Sequence, residues 1–152
     1  MSKDVLKIDN GGIELASRKV KIFCGDSTWN TKIGYFLRNH KKVFISTYSL
    51  PDVEYIKSMF GKQGFENVTI IAHKKFKEKA KLLKETFPDI EIYLEDSTHE
   101  KVVLCEPDTI IIGSENFGHS GWREKGVRLK SKEGYDYLLK EYRERILADE
   151  KI

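Results

Sequence analysis

His99-Glu100-Lys101-Val102-Val103-Leu104-Cys105-Glu106-Pro107-Asp108-Thr109-Ile110-Ile111-Ile112-Gly113-Ser114-Glu115-Asn116-Phe117 is the stretch around which the rest of the chain arranges itself. Two short apolar runs flank Glu106-Pro107-Asp108-Thr109, whose proline suits the second position of a β-turn. The pattern predicts a β-hairpin. Along an extended first run, His99, Lys101 and Val103 project to one face and Glu100, Val102 and Leu104 to the other. Pairing symmetric about Pro107 and Asp108 sets Lys101 opposite Ser114 and His99 opposite Asn116, so that four polar side chains share a face. A turn one residue shorter or longer changes that register.

The chain around this stretch has 152 residues, the size of one ordinary domain, and we expect a single domain over residues 1–152. With 39% hydrophobic and 34% charged residues and only three prolines, it has the composition of a folded protein rather than a disordered one. The 27 basic residues nearly cancel against 24 acidic ones, and a net charge of +3 does not by itself indicate a nucleic-acid partner. Met1-Ser2-Lys3-Asp4 lacks the apolar core of a secretory signal, and no later run is long enough to cross a bilayer. The expectation is a cytoplasmic protein without a membrane anchor. Cys24 and Cys105 are far apart and outside any Cys-x-x-Cys pattern, so both are read as reduced, small core residues. No zinc-ligand spacing and no Walker loop occurs, so neither a metal nor another cofactor is expected.

Strands and helices alternate along the chain. Residues 5–8 and 13–16, separated by Asp9-Asn10-Gly11-Gly12, predict a hairpin, and residues 20–24 a further strand. Trp29, Ile33, Phe36 and Leu37 recur at helical spacing behind Ser27 or Thr28, which predicts a helix over about 29–39. Residues 42–48 are β-branched and aromatic, a buried strand. Pro51-Asp52 opens a helix that turns Val53, Ile56, Met59 and Phe60 inward, and Gly61 and Gly64 end it. A strand over 68–72 precedes a Lys-rich helix with Phe76, Ala80, Leu83 and Phe87 as its apolar stripe, closed by Pro88. Strands follow at 90–94 and 127–129, and the last helix, over about 132–147, carries Tyr135, Leu138, Leu139, Tyr142 and Ile146 on one stripe. The sum is an α/β protein, a mixed sheet sandwiched by helices. The lysines between Lys74 and Lys84 read as a solvated helix face, and His40 and His73 as surface residues.

His99-x-Lys101, then Glu106 after four residues and Gly113-Ser114-Glu115-Asn116 after six more, resembles the signature of the phospholipase D superfamily: His-x-Lys, four residues, Asp, six residues, Gly-Ser-x-Asn. The spacings agree throughout; Glu106 stands where the family has aspartate. Residues 42–50 and the Pro51 helix also look like the family's earlier core elements, which extends the likeness from about Val20 onward.

The resemblance implies a phospholipase D-like fold and a role for each matching position. His99 attacks phosphorus and forms a phosphohistidine, and a neutral imidazole, with an unperturbed pKa of about 6.5, is a competent nucleophile. Lys101 and Asn116 hold the non-bridging oxygens, Ser114 adds a hydrogen bond, and Gly113 lets the backbone come close. Glu106 orients or supports the site. Glu124 stands in for a glutamate that family members carry after Gly-Ser-x-Asn, and Trp122 and Arg123 either line the cleft or pack the loop. The reaction needs a second histidine as general acid, and this chain has one motif. As in the small single-motif bacterial endonucleases of the family, a homodimer with a composite site is expected; the competing idea is a monomer using His119. The leading reading is a metal-independent phosphodiesterase acting on DNA or RNA. The others are a weakly active or inactive nucleic-acid-binding module, with Glu106 a sign of drift, and a lipid phosphodiesterase.

Overall fold

The computed structural model describes residues 5–9, 12–16, 19–26, 34–37, 42–60, 64–118 and 123–152. Strands β1 (Val5–Asp9) and β2 (Gly12–Ala16) pair antiparallel as a sheet of their own, with Asp9 opposite Gly12. Strand β3 (Val20–Asp26) and a helical turn, α1 (Gly34–Leu37), follow. The remainder of the expected 29–39 helix lies outside the described residues, as do His40 and Gly61. Next come β4 (Val43–Ser46), α2 (Val53–Phe60), β5 (Val68–His73), a 3-10 turn at Lys74–Phe76 and α3 (Lys77–Thr86). The chain continues through β6 (Glu91–Glu95), β7 (Val102–Cys105), β8 (Thr109–Gly113), β9 (Arg123–Lys130), α4 (Lys132–Arg145) and the short β10 (Glu150–Lys151).

Eight strands form one mixed sheet in the order β10-β6-β5-β4-β7-β8-β9-β3. Strands β4, β5 and β6 are parallel, as the intervening helices α2 and α3 require, and the hairpin half is antiparallel. Alternation along β4 shows how the sheet is covered. Val43 and Ile45 pack with Ile56, Met59 and Phe60 of α2 and Ala80 and Leu83 of α3. Phe44 faces the other way, against Tyr135 and Tyr142 of α4, its ring stacked on Tyr142 at 5.3 Å and 9°. The fold is thus an α/β sandwich about a mixed sheet. Ser131 caps α4 by accepting the Gly134 N–H at 3.1 Å, a contact worth about 1 kcal/mol.

The hairpin forms, but its register departs from the symmetric expectation. Cys105 pairs with Thr109 and Val102 with Ile112, so the turn holds three residues, Glu106-Pro107-Asp108, and its centre falls on Pro107. Lys101 is therefore beside Gly113, whose N–H donates to the Lys101 carbonyl at 3.1 Å, and not opposite Ser114. His99 and Lys101 also precede the strand, which begins at Val102. Counting one residue more in the turn shifts every pair by one.

Most of the lysine run is neutralised. Lys74 pairs with Asp96 at 2.8 Å, Lys77 with Glu150 at 2.5 Å, Lys79 with Asp52 at 3.0 Å and Lys81 with Glu78 at 3.1 Å. Such exposed pairs add little stability, yet they leave little free positive field along α3. Cys105 is buried and free; burial pushes its thiol up. Among the described residues no helix is long and apolar enough to cross a membrane.

Candidate active site

The sheet brings the C-terminal end of β4 beside the start of β7, with Ser46 opposite Val102. Residues 98–101 approach β7 at that end, and Thr98 is buried with its hydroxyl 3.2 Å from that of Ser46. The Lys101 ammonium lies 3.1 Å from Nδ1 of His99 and donates to the His99 carbonyl at 2.7 Å. An ammonium has no acceptor, so a neutral His99 ring accepts at Nδ1 and carries its own proton on Nε2. Burial lowers the Lys101 pKa, and the charge of Glu124 acts in the opposite direction.

Tyr48, two residues beyond β4, stands between two imidazoles. Its ring centroid is 5.3 Å from that of His99 and 5.1 Å from that of His73, with Phe76 edge-on at 5.5 Å. His73 is half-buried rather than a plain surface residue, and its Nδ1 accepts the Lys75 N–H at 3.1 Å. Nothing in the local pattern singled out Tyr48 except its place at the end of a buried strand.

Ser114 follows β8 directly and is held by β9. Its N–H donates to the Lys125 carbonyl at 3.0 Å, its hydroxyl accepts the Lys125 N–H at 3.1 Å, and the same hydroxyl donates to Glu124. Gly113 makes this approach feasible, because a Cβ there would sit 3.2 Å from the Lys125 carbonyl oxygen. Lys101, Ser114 and Glu124 thus form one group beside His99, joined by the Ser114–Glu124 bond and by the charge of Glu124 acting on Lys101.

Asn116 is half-buried, and its Oδ1 is enclosed without a hydrogen-bond partner among the described residues. It is bracketed by Glu115, 4% exposed, and Phe117, 1% exposed, so its backbone has little freedom. The Phe117 N–H donates to the Thr47 hydroxyl at 3.0 Å, tying the Gly-Ser-x-Asn loop to the residue beside Tyr48. The Phe117 ring meets Tyr55 edge-on at 6.1 Å and Phe60 at 6.3 Å. Phe117→Ala is expected to destabilise the protein by about 3–5 kcal/mol, read by urea denaturation, since it empties a fully buried position. A loss below about 1 kcal/mol would show that Phe117 is not the anchor of this loop.

Glu106 does not join the group. It lies in the turn at the far end of β7, roughly 16 Å from Lys101 by strand rise, with its N–H donating to the Lys42 carbonyl at 3.1 Å. Within one chain Glu106 belongs to the turn and is not brought together with His99 and Lys101. His119 and Trp122 lie outside the described residues. Arg123 begins β9 opposite Asp26.

A scan against protein-family models finds no match, and a search of curated proteins finds none. Solved structures do resemble the chain. A phospholipase D family member, Nuc from Salmonella typhimurium, aligns with a TM-score of 0.69 at 15% identity, over 88% of this chain and 99% of its own. TrmBL2, an archaeal chromatin protein whose structure shows a mode of DNA binding, aligns with a TM-score of 0.61 at 13% identity over 87% of this chain. The chain spans only 55% of that protein's length. Yeast tyrosyl-DNA phosphodiesterase aligns with a TM-score of 0.53 at 12% identity, over 72% of this chain and 30% of its own. The chain has a phospholipase D-like fold, one that phosphodiesterases share.

Proposed function

We propose that the protein is a metal-independent phosphodiesterase that hydrolyses nucleic-acid phosphodiester bonds through a phosphohistidine on His99, in a site completed by a second copy of the chain. The observation that carries this reading is the juxtaposition of His99, Lys101, Ser114 and Glu124 at one end of the sheet, in the motif order of the family it resembles. Lys101 engages the Nδ1 lone pair of His99. A phosphate oxygen, carrying formal negative charge, is the better partner for the ammonium, so substrate draws Lys101 away and frees the ring to attack. The nitrogen–phosphorus bond forms as the phosphorus–oxygen bond to the leaving group breaks. The leaving oxygen takes a proton from a second copy's His99, and water then cleaves the phosphohistidine. Lys101, Asn116 and Ser114 stabilise the equatorial oxygens, and Trp122 and Arg123 belong to the substrate-facing loop.

The second copy has a surface to dock on. Ile112, Val127 and Ile22 are direct cross-strand neighbours on β8, β9 and β3, and are 52%, 37% and 74% exposed. They lie on the α4 face but beyond its cover, and Ile112 is the residue before Gly113. A twofold contact along this row would bury the apolar strip in its own image. Ile22→Glu is expected to yield a folded monomer without cleavage activity, measured by light scattering and by assay on the same sample; an active monomer removes the composite site from the mechanism.

The assay that tests the whole reading incubates the protein, with a divalent-metal chelator, against single- and double-stranded DNA, RNA and phospholipid vesicles. Cleavage of a nucleic acid is the expected result, and cleavage of phospholipid alone would replace the substrate. The likeness to TrmBL2 favours a second reading, a nucleic-acid-binding module. Binding without a denaturant-stable phosphoryl adduct on His99, from mildly acidic to neutral pH, would establish it.

A further inference from the structure

Glu100 sits between His99 and Lys101 in sequence, yet its carboxylate is bound on the opposite face of the sheet. It accepts the Tyr142 hydroxyl at 2.8 Å, a guanidinium N–H of Arg145 at 2.5 Å and the Ser46 hydroxyl at 3.4 Å. Tyr142 and Arg145 belong to the last turn of α4. The other Arg145 Nη donates to Glu95, at the end of β6, whose side chain is only 8% exposed, and the guanidinium lies 5.1 Å from the Tyr142 ring centroid. One guanidinium therefore joins two carboxylates from segments that are distant in sequence. Burial acts to lower the Arg145 pKa, but the hydrogen bonds and charges of Glu100 and Glu95 outweigh it and raise it. Glu141, 3.7 Å from Arg145, and Asp149, whose carboxyl is raised first by burial and then by Glu95, add to the acidic surroundings.

The backbone makes this anchorage matter. Residues 99–101 are outside the strand, and the ladder bond from Gly113 holds the last of them. The preceding residue is held through the Thr98 hydroxyl, and the middle of the segment through Glu100. Where ladder bonds are missing, a charge-assisted side-chain bond is what fixes the backbone.

We propose that Arg145 is a positioning residue for His99 and Lys101: by clamping Glu100 against Glu95, it sets from behind the sheet the segment on which both stand. Its kinetic consequence rests on the phosphodiesterase reading; its structural consequence does not. Without the guanidinium, Glu100 and Glu95 are like charges in a half-buried site, and the segment relaxes away from them.

The test compares Arg145→Met, Glu100→Gln, the double variant and Arg145→Lys with wild type. Lys132→Met, which breaks an exposed ion pair to Asp136 on the same helix, is the control. Below the melting temperature of each variant, Arg145→Met and Glu100→Gln are expected to lower kcat about 10²-fold, with KM changed less than about threefold. The double variant loses no more than the worse single one, because both changes remove one contact, and Arg145→Lys restores part of the rate. The His99 ring resonance, followed by NMR across its titration, moves in Arg145→Met and stays in place in Lys132→Met. Losses that multiply in the double variant, or an unmoved His99 resonance, would overturn the proposal. If wild type cleaves neither nucleic acid nor phospholipid, the phosphodiesterase reading fails, and the resonance still decides whether Arg145 sets the ring. Should Arg145→Met not fold, Glu100→Gln, which removes a charge and keeps the shape, carries the same test.

Discussion

On the proposed phosphohistidine mechanism, His99→Asn is expected to reduce cleavage by at least about 10⁴-fold while leaving the fold and the oligomeric state unchanged, because the loss of a covalent nucleophile is among the largest single effects a site shows. The imidazole is exposed and its partners are the Lys101 ammonium and the Tyr48 ring, so the replacement opens no cavity in the core. Its stability cost should stay within about 0.5 kcal/mol. A composite site makes a sharper prediction. If each phosphoryl transfer uses both copies of His99, an equal, fully exchanged mixture of wild type and His99→Asn retains about one quarter of the wild-type activity, since only the wild-type homodimers work. Independent sites would retain one half, and that result would reject the shared site while keeping the nucleophile. Full activity of the pure variant would remove His99 from the chemistry altogether.

Lys101→Met is expected to cost about 10²–10³-fold in kcat, the usual scale for removing a donor aimed at charge that develops in the transition state. Its pH dependence has a defined sign. Burial lowers the Lys101 pKa and Glu124 opposes that shift, so the ammonium is lost at a lower pH than the ordinary lysine value of about 10.4. The alkaline limb of kcat/KM should accordingly fall below that pH, as the charge that binds phosphate disappears. Glu124→Gln removes the opposing charge and moves the limb further toward neutrality. For stability the sign is the reverse. Between the folded and unfolded pKa values the unfolded chain binds the extra proton, so this group's contribution rises as pH rises through that window and is unfavourable below it. A limb that does not shift in Glu124→Gln would show that Glu124 does not act on Lys101.

The elements on which these expectations rest were legible locally. The β-branched run that became β4, the Pro51 helix with Ile56, Met59 and Phe60 inward, and the stripe of Tyr135 and Tyr142 on α4 follow from periodicity, which a chain carries in its own order. The spacing from His99 to Asn116 likewise pointed to the phospholipase D-like fold that the chain has. The two-residue β10 has too short a pattern to be read before its pairing with β6 is seen.

Other features depend on counts and partners that local pattern does not contain. A turn of three residues rather than four moved Lys101 from Ser114 to Gly113, and four strand residues set Glu106 apart from His99 and Lys101 within the chain. Tyr48 between His73 and His99, Ser114 on Glu124, and Arg145 on Glu100, 45 residues away in sequence, join segments that meet only when the sheet closes. Residue order by itself determined the types and sequence of the elements and the motif they carry, because those depend on short-range periodicity and spacing. The tertiary structure decided which side chains share the site and what holds them there, because hydrogen bonds and ion pairs act over a few ångströms of space regardless of how much chain lies between the partners.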